Sequence, residues 1–296
     1  MRVTGAMQNI QLLKNLRYNN SAIMDLQDKL ATGQKIQRPD DDPVGIGYLM
    51  RYNTELSRSD QFLENARTGI GWLNTMDAAM QQANDVLKRA KQLTQQGSTG
   101  TVPEEARKQI ASEIRQLYEQ MVSIGNSTYD GRYIFNGQKT DTAPYTNATA
   151  ANDKTDPGSY YLNVSPFVTV PVSITGEVIF GKAGDTENVF NVLNDIANHL
   201  DSNDQSALLQ DLSRIDACSD RISVSWAEVG ARTNRFELVV NRLTDEQGNL
   251  KNLRSQVNDV DMAQAITDLQ LRQNVLQASL ATGAQIMRVS LVDFLK

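Results

Sequence analysis

LLQDLSRIDACSDRISVSWAEVGARTNRFELVVNRLTDEQGNL, residues 208–250, carries the strongest pattern in the chain. Leu208, Leu212, Ile215, Ser219, Ile222, Trp226, Val229, Thr233, Phe236, Val240, Leu243, Gln247 and Leu250 follow at alternating steps of four and three. That spacing keeps one stripe of an α-helix turned to a partner helix along its whole length. A helix from Gln205 to about Leu253 would be roughly 70 Å long at about 1.5 Å per residue. A rod of that length needs cover throughout.

The cover is legible elsewhere in the chain. A second long helix is expected from about Val44 to Gln96, with Met76, Met80, Ala83, Leu87, Ala90 and Leu93 as its clearest stripe. Gly69 and Gly71 weaken it locally. Pro103, followed by Glu104 and Glu105, opens a third helix that should run to about Thr128. A shorter helix resumes near Asp185, capped by Asp185 or Thr186, with Val189, Val192, Leu193 and Ile196 on one side.

Both ends of the chain carry seams. Leu12, Leu16, Asn19, Ile23, Leu26 and Leu30 repeat the four-three step, with Asn19 as the one polar member. The last helix places Met262, Ile266, Leu269, Gln273, Leu276, Leu280, Gly283, Met287, Ser290 and Phe294 on one stripe. Leu271, Val275, Ile286, Val289 and Leu291 fall outside that stripe, so this helix is apolar on more than one side. One partner helix cannot cover it, and other molecules are its natural cover.

Between Gly131 and Gly184 the texture changes to Gly, Pro, Thr, Asn and Tyr. In FVTVPVSITG, Val168, Val170, Val172 and Ile174 alternate with Thr169, Pro171, Ser173 and Thr175, as in a half-buried strand. Pro171 puts that strand at an edge. EVIFG, residues 177–181, reads as another strand. The segment is expected to be a small β domain, and replacing Thr140–Lys182 with a Gly/Ser linker to leave the helices folded.

GQKIQRPDDDPVGIGYLMRY, residues 33–52, separates the first two helices. Asp40, Asp41 and Asp42 between Pro39 and Pro43 could hold a divalent cation through carboxylate oxygens. No second acidic cluster supplies further ligands, and EF-hand spacing is missing. The better reading is a helix stop and restart. Pro39 blocks continuation, Asp42 caps the next helix, Pro43 takes its first turn, and Asp40 and Asp41 favour the positive dipole end. GIGYL and GIGWL are poor dinucleotide motifs, because no strand precedes either.

Composition excludes several classes. The net charge is −6 and basic residues are dispersed, so no nucleic-acid footprint is present. The one cysteine, Cys218, rules out an internal disulfide, and it reads as a packing residue. The one histidine, His199, sits where a cation suits a helix C-terminus. No GxSxG, Walker A or HExxH motif occurs. No catalytic set, metal site or cofactor is therefore expected, and no membrane insertion. The N-terminus lacks the apolar core and cleavage site of a secretory signal.

The combination of motifs resembles the bacterial flagellin superfamily. Its carriers are the terminal seams, ATGQKIQRPDDDPVG, GWLNTMDAAMQQANDVLKRAKQL, YDGRYIFNG and QASLATGAQIMRVSLVDFL. The form of these motifs is most like the branch that joins hook to filament. The likeness spans most of the chain and is weakest from about Asp141 to Gly184. It implies an extracellular structural protein of the flagellum, exported unfolded through the type III apparatus without cleavage. The implied partners are like subunits, the first hook-associated protein on the hook side, flagellin, and a cytoplasmic export chaperone at the C-terminal helix. The alternatives are a flagellin-like filament subunit, or a coiled-coil scaffold or adhesin outside the flagellum.

The expected fold is mainly α, an elongated helical bundle with paired terminal coiled-coil helices and a small inserted β domain. The expected division is 1–42 with 256–296 as assembly core, 43–130 with 185–255 as bundle, and 131–184 as β domain. The expected assembly seam is Leu12, Leu16, Ile23, Leu26, Leu30, Ile266, Leu269, Leu276, Leu280, Met287 and Phe294. Pro39, Asp40, Asp41, Asp42 and Pro43 form the helix joint.

Overall fold

The computed structural model describes residues 5–100 and 102–294. Seven helices and four short strands follow in the order α1 (Gly5–Thr32), α2 (Pro43–Gly97), α3 (Glu104–Gly125), β1 (Thr128–Tyr129), β2 (Arg132–Tyr133), β3 (Tyr161–Ser165), β4 (Val168–Pro171), α4 (Gly176–Phe180), α5 (Val189–Ser202), α6 (Gln205–Asn258) and α7 (Met262–Phe294). The fold is mainly α, as the periodicities predict. β1 pairs with β2 and β3 with β4, each pair antiparallel. The chain divides into two compact units, Met1–Ser57 with Gln247–Lys296, and Arg58–Glu246.

In the unit 58–246, α2 and α6 run antiparallel. Trp226 Nε1 donates to Asp77 Oδ1 at 2.5 Å, Ser219 Oγ to Asn84 Oδ1 at 3.3 Å, and Lys91 pairs with Asp216 at 2.5 Å. Every member of the α6 stripe is buried or half-buried, and Met76, Met80, Ala83, Leu87, Ala90 and Leu93 are buried. The two glycines that looked like weaknesses in α2 are close-approach points. A Cβ at Gly69 would sit 2.7 Å from the Phe236 ring, and one at Gly71 would strike the Tyr129 hydroxyl. Trp72 between them stacks on Tyr160, centroids 5.5 Å apart.

α3 packs on α5, and an aromatic cluster joins their ends to the strand-bearing segment. Tyr145 lies 4.7 Å from Phe190, Phe180 5.6 Å from Phe190, and Phe135 5.4 Å from Phe180. Asn126 at the end of α3 closes both backbone groups of Tyr145, donating from Nδ2 at 2.7 Å and accepting at Oδ1 at 3.1 Å. Arg232 of α6 donates to Ser173 O at 2.8 Å. One continuous apolar core therefore contains helix and insertion side chains together.

Three local expectations need correction. EVIFG is not a strand; its first four residues lie in the short helix α4. Ile179 and Phe180 are both fully buried within its single turn and a half, and Gly181, at φ +103°, ends it. The Val168 strand ends at Pro171; Val170, and beyond the strand Val172 and Ile174, are buried as expected, but Val168 is 41% exposed and Ser173 is buried. Ser173 Oγ accepts from Tyr160 N at 2.8 Å, so a polar residue is satisfied inside. The cap of α5 is Asn188, whose side chain accepts from Phe190 N. It also donates to the carbonyls of Gly181 and Lys182, a double duty that Asp185 and Thr186 do not perform.

Cys218 is fully buried, with Sγ directed at Glu187 O at 3.3 Å. Burial pushes its thiol up to about 11. Because the thiolate is the reactive form, native protein at pH 8 should give no fast reaction with a thiol-specific dye, and one thiol per chain should appear in denaturant. Stoichiometric labelling of native protein within minutes would contradict the packing role.

Candidate functional site: the terminal helix pair and its joint

The unit 1–57 with 247–296 holds the sequence-predicted seam and joint. α1 closes at Gly33, whose φ of +70° suits a helix C-terminus and whose N–H donates to Lys29 O at 2.9 Å. The loop that follows is stitched by its aspartates. Asp41 Oδ2 accepts from Gln37 N at 3.0 Å and Arg38 N at 2.9 Å. Asp42 Oδ1 accepts from Val44 N at 3.1 Å and Gly45 N at 2.9 Å, the predicted N-cap of α2. Gly45 leaves room for the buried Ile36, since a Cβ there would lie 2.5 Å from Ile36 Cδ1.

A second joint lies against this one. Gln34 and Asp259 form an antiparallel bridge. Lys35 N donates to Asn258 O at 2.5 Å, Val260 N to Gly33 O at 3.1 Å, and Ile36 N to Asn258 Oδ1 at 3.3 Å. Asp261 then caps α7, its Oδ1 accepting from Ala263 N at 3.0 Å and Gln264 N at 3.1 Å. The sequence contains a signal for this joint in Asp261-Met262-Ala263-Gln264, a capping-box spacing. Pro39 and Asp40 lie in the same loop and Pro43 opens α2; none adds a side-chain hydrogen bond among those described.

From the double joint, α1 and α7 run antiparallel. Arg272 lies by Asn19 Oδ1 at 3.4 Å and over the Tyr18 ring at 5.9 Å, and Gly283 faces Leu12. On α1 the predicted seam faces inward: Asn19 and Ile23 are buried, and Leu12, Leu16, Leu26 and Leu30 half-buried. On α7 the inward stripe is Ala265, Leu269, Arg272, Leu276, Ser279 and Gly283. Leu269 and Leu276, of the expected seam, are on this stripe and half-buried. Ile266 and Leu280 do not face α1; they are 45% and 53% exposed. Met287 and Phe294 lie outside the residues whose side chains are described.

The rotation of α7 has a steric cause. Small residues let two helices approach closely; a Cβ at Gly283 would stand 2.7 Å from Leu12 Cδ2. The edge of α7 that meets α1 is therefore set by its small residues and not by its largest apolar ones. The consequence is an apolar surplus on the outside: Ile10, Leu13, Tyr18 and Met24 on α1, and Ile266, Leu271, Val275 and Leu280 on α7.

Backbone amides occupy one oxygen each of Asp41 and Asp42, which gives these carboxylates a structural use. The Gln37 and then the Arg38 amide hold the Asp41 carboxyl below its ordinary range. A lowered value means that this contribution is present above the unfolded carboxylate pKa and lost as pH falls through the folded one. Asp41→Asn should accordingly flatten acid destabilisation below about pH 4. Asp42→Ala should cost about 1 kcal/mol in thermal unfolding. Calorimetric titration with Mg²⁺, Ca²⁺ or Mn²⁺ should show no micromolar site; one lost in Asp41→Ala would reverse this reading.

The sequence also missed an ion cluster between α5 and α6. His199 Nδ1 lies 2.6 Å from Asp211 Oδ2, and Arg214 contacts both Asp211 and Asp195, at 2.7 and 2.9 Å. Asp211 is 1% exposed and fully partnered, which is the arrangement of a structural clasp.

Two family descriptions match the chain: bacterial flagellin N-terminal helical region over residues 3–140, and bacterial flagellin C-terminal helical region over residues 212–295. The flagellin of Bacillus subtilis is 28% identical, with 96% of each chain covered. Flagellar hook-associated protein 3 of Salmonella typhimurium is 22% identical, with 98% of each chain covered. A putative flagellar hook-associated protein from Vibrio parahaemolyticus has a similar fold, with a TM-score of 0.69 at 20% identity, covering 74% of this chain and 100% of that one.

Proposed function

This chain belongs to the bacterial flagellin family, and from that premise we propose that it is a structural subunit of the junction between flagellar hook and filament. The observation that carries the proposal is the α1–α7 pair, sealed on one side by small residues and left apolar on the outside at both ends of the chain. A helix pair of that kind becomes fully buried only among like pairs. Leu12, Leu16, Ile23, Leu26 and Leu30, with Leu269 and Leu276, hold the pair together in this reading. Ile266 and Leu280 face the neighbours.

The junction role is supported by the full-length likeness to Salmonella hook-associated protein 3. Its partners would be like subunits, the hook-side junction protein and flagellin, with an export chaperone on the C-terminal helix beforehand. Export would be extracellular, through the flagellar apparatus, and no catalysis is involved. The second reading is a filament subunit, favoured by the higher identity to Bacillus subtilis flagellin.

One experiment separates them. An epitope-tagged copy is placed in a strain lacking the gene, and isolated flagella are labelled with gold. Label confined to a short zone at the distal end of the hook is expected, with hooks bare of filament and flagellin lost to the medium in the deletion strain. Label along the filament assigns the second reading. Normal filaments without the gene, and no label on flagella, remove both.

A further inference from the structure

Methionine is divided between the two units by exposure. Met76, Met80 and Met121, in the unit 58–246, are fully buried in its core. Met7, Met24, Met50 and Met262, in the unit 1–57 with 247–296, are each between 46% and 67% exposed. Met1 and Met287 lie outside the residues whose side chains are described.

The exposed methionines extend the uncovered surface of their unit. Met7 stands three residues before Ile10 and Met262 four before Ile266, both exposed. That spacing puts each pair on one side of its helix, so Met262 shares the side of α7 assigned above to a neighbouring subunit. Met24 lines a cavity of about 290 Å³ with Ser21, Asp28, Gln37 and Asp41, where α1 faces the joint loop. Met50 lies in the first turns of α2, seven residues after Pro43.

Methionine suits such positions because its thioether is unbranched and polarisable and adapts to irregular partner surfaces. A subunit with unlike neighbours on its two sides needs that adaptability. The same sulfur is open to two-electron oxidants. Hydrogen peroxide passes one oxygen to it: the O–O bond breaks, an S–O bond forms, and the other oxygen leaves as water. The sulfoxide is polar, and its oxygen requires a hydrogen-bond donor once buried. Cysteine is the other side chain that peroxide attacks readily, and Cys218 is fully buried.

We propose that Met7, Met24, Met50 and Met262 form an oxidation site of the unassembled subunit. Their conversion to sulfoxides stops the chain from joining its neighbours while the unit 58–246 stays folded, and assembly covers and protects them. The inference rests on the assembly role given above and adds a chemical control to it. A methionine sulfoxide reductase reverses the change, the oxygen leaving as water while a dithiol becomes a disulfide.

The test begins with purified protein in dilute hydrogen peroxide, followed by peptide mass spectrometry and thermal melting. The four exposed methionines should oxidise at least about tenfold faster than Met76, Met80 and Met121, with the melt unchanged. Treated and untreated protein are then offered to hooks isolated from the deletion strain, and bound protein is counted by gold label. Oxidised protein should bind roughly tenfold less, and reduction by both methionine sulfoxide reductases with dithiothreitol should restore binding. Met7→Leu/Met24→Leu/Met50→Leu/Met262→Leu conserves volume and should bind like the wild type before and after peroxide. The same four changed to Gln place a polar group where the sulfoxide would be. That variant should be secreted and melt normally, yet bind roughly tenfold less without peroxide. Equal oxidation of the buried methionines, full binding by oxidised protein or by the Gln variant, or a Leu variant as sensitive to peroxide as the wild type would each overturn the inference. Untreated wild-type protein that neither binds hooks nor enters flagella removes the assembly role itself, and the inference with it.

Discussion

Replacing residues 140–182 with a short Gly/Ser linker is expected to abolish cooperative folding of the unit 58–246. The segment contributes Tyr145, Val164, Val170, Val172, Ile174, Ile179 and Phe180 to the core, all buried. A fully buried side chain of this kind is worth about 1.5–3 kcal/mol, so their combined loss is on the order of 10 kcal/mol. That equals the whole stability of an ordinary domain, about 5–15 kcal/mol. The loss also strips Phe190 of the Tyr145 and Phe180 rings and leaves Asn126 and Asn188 without the carbonyls they close. Far-ultraviolet circular dichroism should show reduced helix and a broad, early melt. A deletion protein with native helix content and a sharp transition would mean that the helices hold a sufficient core of their own. The sequence alone suggested that outcome, because a Gly- and Pro-rich insertion with one alternating strand looks self-contained.

Leu280→Asp should leave the isolated protein folded and stop its assembly. Leu280 is 53% exposed beside the inward stripe of α7, so a carboxylate there stays in water and unfolding by heat should be nearly unchanged. In an assembled pair the same carboxylate would be buried without a partner, at a cost of several kcal/mol. A cost near 3 kcal/mol corresponds to association weakened about a hundredfold. Leu276→Asp is the contrast. Leu276 faces α1, so its substitution should also loosen the helix pair in the monomer. The measurements are thermal melting of purified protein, protein recovered from sheared flagella, and swimming in soft agar. Swimming and recovery of Leu280→Asp at wild-type levels would show that this side of α7 is not a contact surface.

Much of the architecture is legible in the chain because it is written in local spacing. The four-three stripes of α1, α2 and α6 predicted which side chains are covered, and the cap chemistry at Asp42 placed the restart of the chain within a residue. What misled is equally specific. EVIFG has strand-forming composition, yet its first four residues lie in the short helix α4, closed by Gly181 at positive φ. Asp261 and Gln264 form a cap signal that passes unnoticed until the bridge from Gln34 to Asp259 gives it a partner. His199 does stand in the last turn of α5 as read, and Asp211, twelve residues later, adds an ion pair that no local spacing announces.

By itself the sequence determined the long helices, the break at Asp42 and the family, because periodicity, capping and motif are properties of neighbours along the chain. Only the tertiary structure decided which edge of α7 meets α1, that the two joints are bridged, and that the strand-bearing segment shares the helical core. Those outcomes depend on pairings between residues far apart in sequence, such as Leu12 with Gly283 and Tyr145 with Phe190. At the first of these shape outweighs hydrophobicity: Gly283 lies against Leu12 because it is small, and the larger Leu280 stays 53% exposed.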